Sequence, residues 1–246
     1  MSENIFEKDK VLILCEGVSD IAFVFLLLNK ILKCEYVNNY ELSDLIKINT
    51  KFKDEYAWYE NEDYYFLVAS VKGCKNFNNF FELNIRETIK NKKYFSKIIN
   101  IIDRDEKSID EIEKSFKFDN LKFKNKKELI NIYSTWSDEE YNISTFLNVV
   151  PFDKCGALED AILDTIIAQG DKDIVEESIN FIDSLDDNTK RYINKKRIIS
   201  KAKVGVTFSL IAPDETFSSF SKRIDSLELD LEFTKETFPF LDLFIN

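Results

Sequence analysis

Hydrophobic and polar positions follow two rhythms along this 246-residue chain. Lys10 to Cys15 is near-continuously apolar and of strand length, the pattern of a strand covered on both faces of a parallel sheet. Val18 to Leu32 is apolar on nearly every face, which predicts a buried helix packed on that sheet. Tyr64 to Val71 predicts a second strand, turning at Gly73 into a helix from about Phe77 to Lys90. Lys97 to Asp103 predicts a third strand, followed by a helix from Glu106 to Ser115. Three strand–helix units in succession imply right-handed crossovers and a parallel sheet.

Elsewhere the rhythm changes. Asn38 to Asp63 has no clean period and reads as a peripheral insertion, with the cluster Tyr56, Trp58, Tyr59, Tyr64 and Tyr65 filling its junction with the core rather than stacking on unpaired bases. Phe116 to Tyr133 holds two short strand-like pieces around the basic run Lys122 to Lys127. Tyr141 to Val150 is strand-like and Pro151 stops it. Beyond this point Leu158, Ile162, Leu163, Ile166 and Ile167 recur at helical spacing, in a helical stretch reaching about Ser184. Lys190 to Lys203 is a further helix, and Val204 to Ile211 fits either state. The expected fold is a single α/β domain over residues 1–246, a mostly parallel sheet flanked by helices. Its core spans about residues 8–150, with the insertion at about 38–63 and a helix-rich C-terminal part at 151–246.

Two of the predicted strands end abruptly on carboxylates. Glu16 follows the first, and Asp103 ends the third with Asp105 two residues on. In open parallel sheets the carboxyl ends of strands face the ligand crevice. In extended backbone Asp103 and Asp105 would point to one side. Three carboxylates meeting there repel one another unless a cation neutralises them, and hard oxygen ligands suit Mg²⁺ or Mn²⁺. Asp20 fits two roles: a first-turn acid complementing the helix dipole, or a member or outer partner of the metal site.

Composition sharpens this. The chain contains no histidine, which excludes Ser-His-Asp and Cys-His triads, His-ligated zinc and His general bases. Any catalysis must then run on carboxylates, Lys, Arg, Tyr, Cys or a metal, and metal–carboxylate chemistry is the reading that survives best. Lys and Arg number 34 against 45 Asp and Glu, a net charge of −11, so the chain is no general coat for nucleic acid. One stretch departs from this balance. Lys190 to Lys203 carries seven Lys or Arg, and no acid falls between Asp187 and Asp214. Lys195, Lys196, Arg197 and Lys201 are its candidate phosphate contacts. The four cysteines are scattered and read as reduced thiols of a cytoplasmic protein. The longest apolar run, Ile21 to Leu28, is too short to span a bilayer, so no membrane partner is expected.

Glu16-Gly17-x-x-Asp20 after a first strand, with Asp103-x-Asp105 after a later one, resembles the TOPRIM domain. Further matches follow in order: Val71-Lys72-Gly73-Cys74-Lys75-Asn76, Asn148-Val149-Val150-Pro151, Gly156-Ala157-Leu158-Glu159-Asp160, Lys201-Ala202-Lys203-Val204, and the closing Phe238-Pro239-Phe240-Leu241. Together they are similar to the TOPRIM domain of the overcoming-lysogenization-defect (OLD) nucleases. The resemblance implies Mg²⁺- or Mn²⁺-dependent cleavage of DNA or RNA. Glu16, Asp103 and Asp105 would hold one or two ions, with Glu159 assisting the second. A catalytic lysine falls at Lys201 or Lys203, and Lys203, preceding an apolar segment, is the expected one. OLD nucleases fuse this domain to an ATPase. No Gly-x-x-x-x-Gly-Lys-Ser/Thr loop occurs here, so a separate ATPase is an expected partner in phage defence or repair. The chain departs from the pattern in having a single Gly73 where two glycines are usual, which keeps open a catalytically silent binding subunit. A receiver-like signalling module fits less well, since it would want adjacent acids where Cys15-Glu16 stands.

Overall fold

The computed structural model describes residues 8–38, 56–85, 95–115, 122–126, 129–136, 141–215 and 220–245. Eight strands form one sheet: β1 (Asp9–Cys15), β2 (Glu35–Val37), β3 (Tyr56–Glu60), β4 (Tyr64–Ser70), β5 (Lys97–Asp103), β6 (Lys122–Lys126), β7 (Leu129–Trp136) and β8 (Tyr141–Val150), in the order β2-β3-β4-β1-β5-β8-β7-β6. The four central strands β4, β1, β5 and β8 are mutually parallel. Only β3 and β7 run against them, each pairing antiparallel with both its neighbours. The sheet is therefore mostly parallel, with its outer strands added as antiparallel ribbons.

The central strands alternate between two cores. Val11, Ile13 and Cys15 of β1 lie in one, with Phe66 and Val68 of β4 and Ile99 and Ile101 of β5. Leu12 and Leu14 lie in the other, with Leu67, Ala69, Ile98 and Ile102. Both faces being covered, the strands read as continuous apolar runs. Helix α1 (Val18–Lys30) sits on the first face, where Phe23, Val24 and Leu27 are fully buried. The short α2 (Phe77–Phe80) and α3 (Ile109–Ser115) cover the second through Phe77, Phe80 and Ile112.

The C-terminal part is helical: α4 (Leu158–Ala168), α5 (Lys172–Ser184), α6 (Lys196–Ile211), α7 (Phe220–Asp225) and α8 (Leu231–Thr237). It closes on Phe238, Phe240 and Leu241, all fully buried in the first core. The Phe238 ring lies 5.4 Å from that of Phe23 on α1. Each such side chain contributes roughly 1.5–3 kcal/mol of burial, so this tail fastens the helical part to the sheet.

Several expectations change. Residues 56–63 are not a peripheral insertion. They include β3, which pairs with β4 and buries Trp58 to 1% exposure. Burial on both faces removed the period-2 signature that would have marked a strand. Residues 39–55 of the expected insertion lie outside the described residues. The helix expected from Phe77 to Lys90 is one α-helical turn that widens into a π-type turn over Phe81–Ile85, and 86–94 are likewise outside the described residues. The basic run around Lys122 is itself strand β6. Val204 to Ile211 is helical, continuing α6. No described helix is long and apolar enough to cross a membrane.

Candidate functional site

β1 and β5 are adjacent and parallel, with Cys15 paired to Ile101. The residue after β1 and the last residue of β5, Glu16 and Asp103, thus emerge at the same end of the sheet. Glu16 is 9% exposed. The turn after β4 holds it: Gly73 N–H donates to the Glu16 carbonyl at 2.8 Å, and Cys74 N–H donates to its Oε2 at 3.1 Å. Gly73 has φ +105°, a conformation that side chains oppose, so the glycine lets the turn deliver both donors. Glu16 Oε1 is buried and has no hydrogen-bond partner.

Two helix starts converge on the same place. At α1, Asp20 accepts from the Gly17 N–H at 2.7 Å and is 6% exposed. At α4, Asp160 accepts from the Ala157 N–H at 2.8 Å in the same way, and the Leu158 N–H donates to Asp103 Oδ1 at 2.9 Å. Asp160 therefore serves the local backbone. Glu159, 7% exposed, points to the Lys201 ammonium. A Cβ at position 17 would lie 3.5 Å from Asp20 Oδ1 and 3.6 Å from Arg197 Nη2, ordinary contact distances that bring the Arg197 side chain of α6 to the start of α1.

Burial and mutual repulsion raise the acids' proton affinities. Asp103 is pushed up to about 8, by burial first and then by Asp20 and Glu16. Glu16 is raised to about 7 by burial and by Asp105, against the lowering effect of Lys107. Asp20 is raised to about 6 by burial, with the Gly17 N–H opposing and Glu159 adding. The Cys15 thiol behind them is also pushed up, by burial and then by Asp20, Asp103 and Glu16. These groups share one field, and at neutral pH it favours retained protons or a cation.

Among the described residues, no three His, Cys, Asp or Glu side chains are grouped to enclose a metal ion. A cage of three converging carboxylates is therefore not what the fold builds. Mg²⁺ is commonly bound by only one or two carboxylates, keeping several waters and taking phosphate oxygens. The buried, unpartnered Glu16 Oε1 and the raised Asp103 fit that mode of binding.

Asp105 departs from the extended geometry expected of Asp-x-Asp. β5 ends at Asp103, and Asp105 turns to φ +52°. Its backbone exchanges hydrogen bonds with Gly156, at 2.6 and 3.0 Å. Its carboxylate lies 3.8 Å from Lys107 Nζ. It thus acts on Glu16 from the rim rather than beside Asp103.

The lysines sort in the opposite order to the sequence expectation. Lys201, not Lys203, reaches the acids, paired with Glu159 and 3.5 Å from Ser19 Oγ. Lys203 pairs with Asp183 of α5 at 3.0 Å. Of the other expected phosphate contacts, Lys196 pairs with Glu106, Arg197 adjoins Asp20, and Lys195 precedes α6. A cavity of about 610 Å³ opens between this basic end of α6 and the turn after β5, lined by Asp105, Lys107, Asp160, Lys196, Arg197 and Lys203 among others, while Ser19, Glu159 and Lys201 line a separate one of about 250 Å³. A larger cavity, about 750 Å³, lies at the far end of α1 around Lys30 and Glu35, away from the acids. Sequence reading missed Lys107 and the Cys74 N–H, which reach Glu16 from loops distant in the chain and leave no spacing signal.

A family model described as "Protein of unknown function (DUF3226)" matches residues 10–238, and the chain belongs to that family. A solved structure, that of a hypothetical protein from Pyrococcus horikoshii OT3, is similar at 13% identity with a TM-score of 0.49, over 97% of this chain and 100% of that one. No curated protein matches.

Proposed function

We propose that this DUF3226 protein is a TOPRIM-type, metal-dependent phosphodiesterase that hydrolyses nucleic acid. The observation that carries the reading is the set of carboxylates where β1, β5 and α1 meet, Glu16 and Asp20 buried and Asp103 half-buried, with their proton affinities raised together. Such a set is costly to ionise alone and is relieved by a hard divalent cation. Glu16 and Asp103 would hold Mg²⁺ or Mn²⁺, with Asp105 and Glu159 as the further acids for a second ion. Bound there, the metal supplies Lewis-acid stabilisation and a water of lowered pKa.

The chain's own residues supply the rest. Lys201, beside Glu159 and close to Asp20, takes the role expected of Lys203: offsetting charge that develops on the phosphoryl oxygens. Arg197 lies on the same side of α6, one turn earlier, and holds a phosphate against the acids. The Leu158 N–H keeps Asp103 oriented.

One observation favours a second reading. Lys201 already neutralises Glu159, and among the described residues no acid trio encloses an ion, as would suit a silent subunit that binds nucleic acid for a partner. Incubation with single- and double-stranded DNA and RNA in Mg²⁺, Mn²⁺ or EDTA separates the two. The nuclease reading expects metal-dependent cleavage that Asp103→Asn abolishes. Cleavage that persists in EDTA or in the variant would refute it.

A further inference from the structure

The basic stretch contains one aromatic residue, and its setting is unlike that of the other aromatics near it. Tyr192 is 72% exposed, more than any other large hydrophobic or aromatic side chain among the described residues. It ends a short 3-10 turn, Thr189–Tyr192, that leads into α6. The Arg191 guanidinium lies over its ring, 4.6 Å from the centroid. Of the aromatics clustered at residues 56–65, Trp58, Tyr59 and Tyr65 are buried in the sheet's cores, and Tyr56 and Tyr64 are half-buried in strands β3 and β4. An exposed ring costs the fold hydration free energy that burial would recover. Arg191 covers one face of the ring and leaves the rest of Tyr192 open.

Its neighbours point to a ligand. Arg191 and Lys195 make no ion pair among the described residues, whereas Lys196, Lys201 and Lys203 pair with Glu106, Glu159 and Asp183. From Tyr192 to Lys196 is four residues, so the ring's backbone lies within about 14 Å of a residue lining the 610 Å³ cavity. That volume falls in the range of small-ligand pockets and holds about one nucleotide. Cations that track a backbone, with an aromatic face beside them, are the parts from which proteins build sites for unpaired strands. A duplex hides its base faces and could use only the cations. The chain's net charge of −11 makes those alone a poor hold on so dense a polyanion.

We infer that the substrate is unpaired nucleic acid: one base stacks on Tyr192, Arg191 and Lys195 carry the adjoining backbone, and the next nucleotide enters the cavity lined by Asp105, Lys107 and Arg197. This rests on the nuclease reading for what happens in the cavity, but the strand site itself requires only binding. DNA and RNA offer the same stacking face, so both are probed.

The experiment is fluorescence anisotropy with labelled 12-mers in EDTA, where no metal-dependent cleavage occurs. The probes are single-stranded DNA, single-stranded RNA, the DNA strand with abasic positions throughout, and a blunt duplex. The wild type should hold at least one of the two single strands about tenfold tighter than the abasic strand or the duplex. Tyr192→Ala should lose that margin, by about tenfold, the ordinary worth of one base–aromatic stack. Tyr192→Phe and Tyr192→Trp should keep it. Equal affinity of wild type and Tyr192→Ala for single strands, or a duplex bound as tightly, would overturn the inference. Failure of the wild type to bind any probe would also overturn it, while the nuclease reading stands or falls on cleavage in Mg²⁺ or Mn²⁺. Ring-dependent binding with no cleavage in Mg²⁺ or Mn²⁺ would sustain the strand site and remove the hydrolysis.

Discussion

Replacing Asp103 by Asn removes the carboxylate that the fold shifts further than Glu16 or Asp20. Its ordinary value is 3.8, and in the folded chain it rises to about 8. Between these two values the folded state keeps a proton that the unfolded state has lost. The stability this confers is full below pH 3.8, declines as pH rises, and is gone above about pH 8. At about 1.36 kcal/mol per unit the whole interval corresponds to about 6 kcal/mol. That is a ceiling, because Glu16 and Asp20 ionise in the same field and share the repulsion. From pH 5 to pH 8 one proton amounts to about 4 kcal/mol at most, or roughly 8–16 °C of melting temperature for a chain of this size. The Asn side chain does not titrate, and its carbonyl can still accept the Leu158 N–H. Its loss of charge also lowers the repulsion felt by Glu16 and Asp20. Thermal melts in EDTA at pH 5, 6, 7 and 8 should therefore fall steeply for the wild type and much less for Asp103→Asn. Added Mg²⁺ at pH 8 should raise the wild-type melting temperature more than that of the variant, by linkage. Parallel pH profiles for the two proteins would refute the electrostatic account of the site.

The other predictions concern α6 and the start of α4. Lys201→Met should lower turnover by about 100-fold with little loss of strand binding, because its role is met in the transition state. Lys203→Met loses a partly exposed pair with Asp183, worth about 0–1 kcal/mol, and one cation of the cavity wall, so strand binding should weaken while turnover at saturating substrate stays near wild type in the same steady-state assay. Lys195→Ala with Lys196→Ala should weaken binding and flatten the plot of log affinity against log salt by about one unit for each phosphate no longer neutralised. Gly156→Ala would place a Cβ 2.8 Å from Asp160 Oδ2, which caps the backbone at Ala157. It should cost about 1–3 kcal/mol in chemical denaturation.

Where an apolar run stopped on an acid, the sequence was informative: β1 and β5 end as expected, and Glu16 and Asp103 stand together at their carboxyl ends. Residues 201 and 203 were not separable in that way. Two positions on a helix lie about 200° apart, so one faces the acids and the other faces α5, and only the docking of α6 decides which. The same geometry puts Arg197 and Lys201 on one face, four residues apart, a spacing that could have been used. Asp105 was misjudged because extended backbone was assumed past the last residue of β5. Trp58 and Tyr59 were hidden for the opposite reason, a strand too thoroughly buried to alternate.

The left-handed turn at Asp105 bears on how this site should be dissected. A customary alanine scan treats truncation at each acid as the loss of a carboxylate alone. At position 105 the backbone sits at φ +52°, tied by two hydrogen bonds to Gly156 just before α4. Asn and Asp visit this region readily, whereas alanine pays about 1 kcal/mol or more for it. Alanine there would loosen the join between the end of β5 and the helix whose first N–H holds Asp103. A dead Asp105→Ala variant would then report misplacement of a different acid. Asp105→Asn and Asp105→Gly both remove the charge while the left-handed turn stays accessible, and the difference between Asp105→Gly and Asp105→Ala measures the backbone cost.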